Sequence, residues 1–386
     1  MLASSLVSFI SVWMQRLVIG WLILTLSDNP LVIASAFAAR SLPNLLFGAF
    51  GGAVADRFSR KRLLIIVQSA TTMLSVATGI LAISAEVSPW MVIAVSFCFG
   101  AAQSFDNPAR QALVYDLTSR DTLMNALSLN EVCRRAMSVV GPLVGGWLIE
   151  AFGLGRVFLL MAALTAAGMS ILALVRAPAL SRSHRRERVL QSLWEGVRVI
   201  AGNPVTAWLV ALTMACEIFA FSYMAMMPIF AHNVLQVGAA GYGYMTAAAG
   251  LGAVLGATIL AALGNYQRKG WLLCGAFLLF GVSIVAVAMS TWFPLTLVFL
   301  LGVGLAGCAF DTLQQTLLQE NVPEDMRGRA MGAWVLAIGM GPVGSLYLGA
   351  VAGTIGAPLA VGINGAVVVL LAISTAMFLS RVRRLA

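Results

Sequence analysis

A few ionisable residues stand inside long apolar runs of this sequence: Arg16, Arg40, Glu131, Glu217 and Asp311. An isolated charge in hydrocarbon is costly, so each of these needs a partner or a purpose. Desolvation disfavours the charged form of a carboxyl, and a nearby guanidinium favours it. A buried carboxyl that gains and loses such a partner as helices move therefore binds and releases a proton. Glu217, followed by Asp311 and Glu131, is the candidate for that chemistry; the alternative is a permanent ion pair or hydrogen bond between helices. A second concentration of charge lies at residues 52–62, Gly52-Ala-Val-Ala-Asp56-Arg57-Phe-Ser-Arg60-Lys61-Arg62, where five charges fall in seven consecutive positions of a chain only 10% charged.

The elements that must position these groups are membrane helices. Hydrophobic residues make up 60% of the chain, mean hydropathy is +0.93, and a spanning helix needs about 20 mostly apolar residues. The runs do not alternate apolar and polar as the strands of a membrane barrel do. Twelve spans are expected, at 2–26, 31–55, 63–85, 89–105, 126–151 and 157–175, then at 205–230, 242–263, 270–290, 293–318, 330–351 and 358–379. The fold class is all-α, in two halves (1–176 and 205–386) joined by a basic linker at 177–204 that contains an amphipathic helix. That helix has two candidate resting places, the inner membrane surface or the ends of the bundle.

Of the 24 Lys and Arg, 19 fall on the side of the charged link and only Arg156 on the other. Basic loops stay cytoplasmic, so both termini are expected inside a bacterial plasma membrane. Met1 opens straight into the first apolar run, without the basic leader and cleavage site of a secretory signal, and the expectation is a late start or a trimmed segment. The pI near 9.9 then reflects topology, and no nucleic acid is expected as a partner. Five scattered cysteines and two histidines offer no metal spacing, so neither a metal nor a cofactor is expected. No catalytic constellation and no Gly-x-x-x-x-Gly-Lys-Ser/Thr loop occurs, which argues against an enzyme and against ATP as the driving force.

The halves echo each other. Gly141-Pro142-Leu-Val-Gly145-Gly146 in the fifth span has a counterpart, Gly341-Pro342-Val-Gly344, in the eleventh, and the charged link has a worn copy ending Arg268-Lys269. Parallel six-span repeats with a site at their interface are a transporter plan. Pro142 and Pro342 each remove a backbone donor and are expected to bend their helices, and the adjacent glycines let helices approach closely.

The charged link resembles the signature between spans two and three of the major facilitator superfamily, Gly-x-Leu-Ala-Asp-Arg-x-Gly-Arg-Lys/Arg. Gly52, Ala55, Asp56, Arg57, Arg60 and Lys61 match it, while Val54 and Ser59 replace the usual Leu and Gly. Gly141-Pro142-x-x-Gly145-Gly146 is similar to the core of the antiporter signature. Trp13-Met-Gln15, Asp106-Asn-Pro-Ala-Arg110, Gly241-Tyr-Gly and Arg327-Gly-Arg329 are similar to stretches of bacterial drug:proton antiporters and siderophore exporters. The resemblance implies proton-coupled export of small amphiphilic molecules, drugs or siderophore-like compounds, by a monomer. An importer or uniporter is the alternative, and a non-transporting scaffold a more distant one. It also places the link beside the N-terminus of span eleven. There an Asp56 carboxylate gains roughly 0.3–1 kcal/mol from the helix dipole, and Arg57 and Arg60 are in position to meet Asp116. Expected cavity residues are Gln15, Arg16, Arg40, Gln103, Tyr223, Gln314 and Gln315.

Overall fold

The structure is a computed structural model describing residues 2–175, 189–264 and 266–378; at positions 2, 49–57, 120, 189–193, 195, 325 and 378 it describes the backbone alone. Six long helices come first: α1 (Leu2–Leu26), α2 (Pro30–Arg57), α3 (Arg60–Ile83), α4 (Pro89–Leu117), α5 (Arg120–Phe152) and α6 (Leu154–Leu174). After α7 (Val189–Gly202), α8 (Pro204–Ala215) continues through irregular turns and the short α9 (Met227–Ile229) to Val234. Then follow α10 (Gly238–Leu263), α11 (Lys269–Met289), α12 (Phe293–Glu320), α13 (Arg327–Ile338), α14 (Gly341–Ile355) and α15 (Ala357–Phe378). Among the described residues no strand occurs, as a chain that must satisfy its own backbone groups in lipid requires of a non-barrel.

Among the described residues eleven stretches are long and apolar enough to cross a membrane. The remaining expected span, α4, has the length at 29 residues but not the hydropathy. The sequence ends this span at residue 105, whereas the helix runs through Pro108 to Leu117. Across that proline Arg110 clasps Asp106 one turn back, an i,i+4 ion pair that supports the helix where a backbone donor is missing. The charged link is also more helical than expected. Only Phe58 and Ser59 separate α2 from α3, and Ser59 caps α3 by accepting from the Arg62 N–H at 3.5 Å. With φ at −57° this position has no need of the family's glycine, and a serine serves the helix start better.

The chain forms two compact units. One holds α1, most of α2, α3 to α6 and Gly238–Ala247 of α10; the other holds Asn29–Ser35, α7 to α9, the rest of α10 and α11 to α15. In the first, hydroxyls and small residues do the joining that hydrophobicity cannot do between helices in lipid. Ser4 donates to the Gly168 carbonyl at 2.9 Å, the Ser11 and Thr165 hydroxyls lie 2.9 Å apart, and Gln68 donates to Ser8 at 3.2 Å. These bonds tie α1 to α6 and α3.

In the second unit glycines bring backbones together. A Cβ on Gly252 or Gly256 would meet the Leu301 or Leu305 carbonyl oxygen at 2.0 or 2.5 Å, closing α10 on α12. Helix α7 packs on α13. Ile200 joins Leu318, Val322, Ala330, Ala333 and Trp334 in a buried cluster, and Gly196 abuts the Arg329 backbone. Packing against the bundle is thus where the amphipathic helix lies, with Trp194 left exposed.

The repeat shows in its turns. Gly153 between α5 and α6 and Gly356 between α14 and α15 both have positive φ, 77° and 87°, with ψ of 160° and 150°. Each N–H caps the preceding helix, on Ile149 and Ala352 respectively. Side chains other than glycine are strained there by about 1–3 kcal/mol. Gly153→Ala and Gly356→Ala should each lower the thermal unfolding midpoint of the purified protein. Gly353→Ala, three residues upstream of Gly356 in open space within α14, should hold or raise it by its helix propensity.

Candidate functional site

Glu217 occupies a break in the seventh span. Asn203 caps α8 through a bond from the Val205 N–H at 2.9 Å, and Pro204 opens the helix. At Cys216–Ala220 the winding widens to a π-helical turn, tightens to 3₁₀ over Phe221–Met226, and widens again at Phe230–Val234. Such local departures from α-geometry are common at functional sites. Gln314 on α12 donates to the Leu209 carbonyl of α8 at 3.0 Å, and Asn364 on α15 to Ser222 in the 3₁₀ turn at 3.2 Å. Asn364 and Ser222 were not among the expected site residues; a lone amide in the apolar last span was their one visible signal. Tyr223 is buried in the 3₁₀ turn.

Helix α14 closes on this break. A Cβ on Gly344 would lie 2.6 Å from Ile218 Cα and 2.7 Å from the Glu217 carbonyl, and one on Gly341 3.3 Å from Glu217 Oε2. The carboxylate therefore lies against the first turn of α14, the positive end of that helix's dipole. It is partly exposed and makes no hydrogen bond or ion pair among the described residues. Asp311 of α12 is the charged group whose field reaches it. Glu131, the third carboxyl candidate, lies in the other unit and is held by two arginines, Arg134 (2.8 Å) and Arg135 (2.9 Å).

In the first unit, Arg40 is buried and donates to Gln15 Oε1 at 3.0 Å and Gln103 Oε1 at 3.4 Å. Arg16, one residue from Gln15, is exposed and stacks on Trp13 at 5.0 Å. Arg110, by contrast, is paired, with two 3.0 Å bonds to Asp106. Gln315 is separate from these groups, lining a cavity of about 320 Å³ with Thr312, Thr316, Gln319, Glu320 and Arg327.

At the charged link, Arg60 pairs with Asp116 and donates to the Ala112 carbonyl at 3.2 Å. Lys61 donates to the Ala173 and Val175 carbonyls at 2.6 and 2.7 Å, closing the C-terminal end of α6. These bonds are all internal to the first unit. The second unit has the counterpart: Lys269, opening α11, pairs with Glu320, closing α12, at 2.5 Å. Gly52 lies in the backbone of α2, and the side chains of Asp56 and Arg57 fall outside the described residues.

The two glycine–proline motifs are not used alike. Helix α5 runs unbroken through Gly141 and Pro142, whereas the eleventh span breaks at Gly339 and Met340 and restarts as α14 at Gly341 and Pro342. On α5, a Cβ at Gly146 would lie 2.6 Å from the Ala239 carbonyl, and one at Gly243 2.6 Å from that of Pro142. Glu150 completes this contact by accepting from the Ala240 N–H at 2.9 Å, at the start of α10. Gly145 turns toward α1 instead, where a Cβ would find ordinary contacts at 3.5–3.6 Å.

These features, apolar helices in two units with repeated turns and ion pairs, define a multi-pass membrane transporter. The family signature of the transmembrane secretion effectors matches residues 1–386, and the chain belongs to that family, within the major facilitator superfamily. Enterobactin exporters EntS of Shigella boydii serotype 18 and Escherichia coli O127:H6 are each 30% identical over 289 residues, 74% of this chain and 68% of theirs. Two solved structures share the fold. The nucleoside transporter NupG has a TM-score of 0.75 at 17% identity, with 98% of both chains covered. A bacterial homologue of the human lysosomal transporter Spinster, inward-facing and unoccupied, has a TM-score of 0.77 at 15% identity, covering 99% of this chain and 97% of its own.

The contact of α5 with the first turns of α10 tolerates no added methyl on its inner face. Gly146→Ala should cost about 1–3 kcal/mol by overpacking and lower the unfolding midpoint, while Gly145→Ala should leave it within the error of the same thermal melt.

Proposed function

We propose that the protein exports small amphiphilic molecules, drugs or siderophore-like compounds, from the cytoplasm across the bacterial plasma membrane in exchange for protons, and that Glu217 carries the proton. The observation that carries this reading is the placement of Glu217, on a π-helical break against Gly341 and Gly344 and without a protein counter-ion among the described residues. Export is supported by the family and by relatives whose names are those of enterobactin exporters. The cytoplasmic placement of both termini is supported by the distribution of Lys and Arg. The working unit is a monomer of two half-transporters, 1–176 and 205–386, joined by 177–204.

The coupling follows from charge. An ionised Glu217 is attracted to the N-terminal turn of α14, whose dipole is positive there. Protonation removes that attraction and loosens α8 from α14 at a point where both helices are already broken. Glycines at the contact let the backbones slide without a side chain in the way. Asp311 is the second acid of the site, positioned to exchange influence with Glu217 through its field. Glu131 is assigned to structure, since two arginines hold it. Gly52, Asp56 and Arg57 are assigned to the cytoplasmic gate, with Arg60, Lys61 and Asp116 bracing the ends of α3, α4 and α6 beside it.

In inverted membrane vesicles, a proton gradient should accelerate transport of a fluorescent amphiphile by the parent protein and leave Glu217→Gln unaccelerated, at equal protein levels. Gradient-driven transport unchanged in Glu217→Gln would remove this residue from the mechanism.

A further inference from the structure

The first unit contains an arginine site whose charge nothing among the described residues balances. Arg40 is more than nine-tenths buried, and its Nε has no hydrogen-bond partner. Among the described residues its two terminal nitrogens reach only amide oxygens, those of Gln15 and Gln103. Its backbone is fixed by Gly100, where a Cβ would lie 2.0 Å from the Arg40 carbonyl oxygen. Arg16 is one position along α1 from Gln15 and is exposed, although Met14, Gln15, Leu17 and Val18 around it are buried. An exposed charge at the middle of a spanning helix faces protein interior or water, not lipid.

The surrounding field is positive. Arg40 feels Arg16; Arg16 feels Arg134 and the Tyr242 phenol; no carboxylate of the described residues pairs with either. Glu131, three and four residues before Arg134 and Arg135 on α5, is already taken by those two arginines. A buried arginine lacking an acid is an expensive arrangement in a membrane protein. The same unit shows the ordinary solution at Arg110, which is clasped by Asp106. The amide oxygens of Gln15 and Gln103 turn toward Arg40, and their NH₂ groups donate to nothing among the described residues.

The geometry points to an anion site: Arg16 and Arg40, with the amides of Gln15 and Gln103, receive the negatively charged group of the exported molecule, and Trp13 receives its aromatic or apolar body. Carboxylate, sulfonate and phosphate groups all suit the planar fork of arginine, and a ring on Trp13 would exchange with or extend the stacking that Arg16 makes there. This narrows the proposed substrate class to amphiphilic anions and rests on the reading of the protein as an exporter. It also separates the tasks: substrate charge is met in the first unit, and the proton is carried in the second.

The test uses the full chain in lipid nanodiscs and two fluorescent probes of one skeleton, anionic 1-anilinonaphthalene-8-sulfonate and neutral N-phenyl-1-naphthylamine, with empty nanodiscs subtracted. The parent should bind the sulfonate about tenfold more tightly than the neutral probe, the difference of one charged contact. Arg40→Gln should remove that preference while leaving the neutral probe unaffected, and Arg40→Lys should keep part of it. If Arg40→Gln does not fold, Arg16→Gln, at an exposed position, should lose the preference in part. Glu217→Gln should retain it. Equal affinity for the two probes in the parent, or equal loss of both on substitution, would overturn the anion site. Because binding is read without a proton gradient, its outcome is independent of the vesicle assay on Glu217.

Discussion

Hydrocarbon cannot solvate a charge or an unpaired backbone group, and each feature of this molecule answers to that constraint. Hydroxyls return to carbonyls one turn back along their own helices, as Thr71, Ser96 and Thr213 do. Charged side chains find partners on the same turn of helix: Arg110 with Asp106, and Arg134 and Arg135 with Glu131. Set against this, the groups without such partners stand out. Among the described residues Arg40 has amides but no acid, and Glu217 has a glycine-lined helix start but no base. In a medium that penalises unbalanced charge, these are the positions that we propose a ligand ion or a proton completes.

The repeat explains how the two halves came to differ. Both keep an ion pair joining the start of one helix to the end of the next, Arg60 with Asp116 and Lys269 with Glu320. Both turn sharply on a left-handed glycine, Gly153 and Gly356. They part company at the glycine–proline motif. In α5 the helix continues, and Gly146 serves a close contact with α10; in the eleventh span the helix breaks, and the new helix begins against Glu217. One inherited pattern thus lies in a continuous helix in one unit and at a helix break beside the carboxyl in the other.

Much of this was legible in the sequence, because the signals were strong and local. Apolar run lengths located the helices, and Gly341, Pro342 and Glu217 were each singled out by type. What was not legible depended on partners. Uniformly apolar composition carries no mark of a π or 3₁₀ turn, so the break at Cys216–Ala220 was invisible. Asn107 and Pro108 read as the end of a span, although the pairing of Asp106 with Arg110 carries α4 onward. Gln15, Arg40 and Gln103 were each recognised as polar residues in apolar runs, yet nothing in their spacing showed that they converge. The i,i+3 and i,i+4 spacing of Glu131 to Arg134 and Arg135 suits the local ion pairs that these residues form.

On the proposed mechanism Glu217 takes up and gives back a proton within the membrane. Infrared difference spectroscopy of the protein in lipid bilayers, stepped from alkaline to acid pH, reads this directly through the carbonyl stretch of a protonated carboxylic acid. A reversible band from a carboxyl shielded from bulk water is expected in the parent, absent in Glu217→Gln with the rest of the spectrum preserved. The same band in both proteins would contradict it.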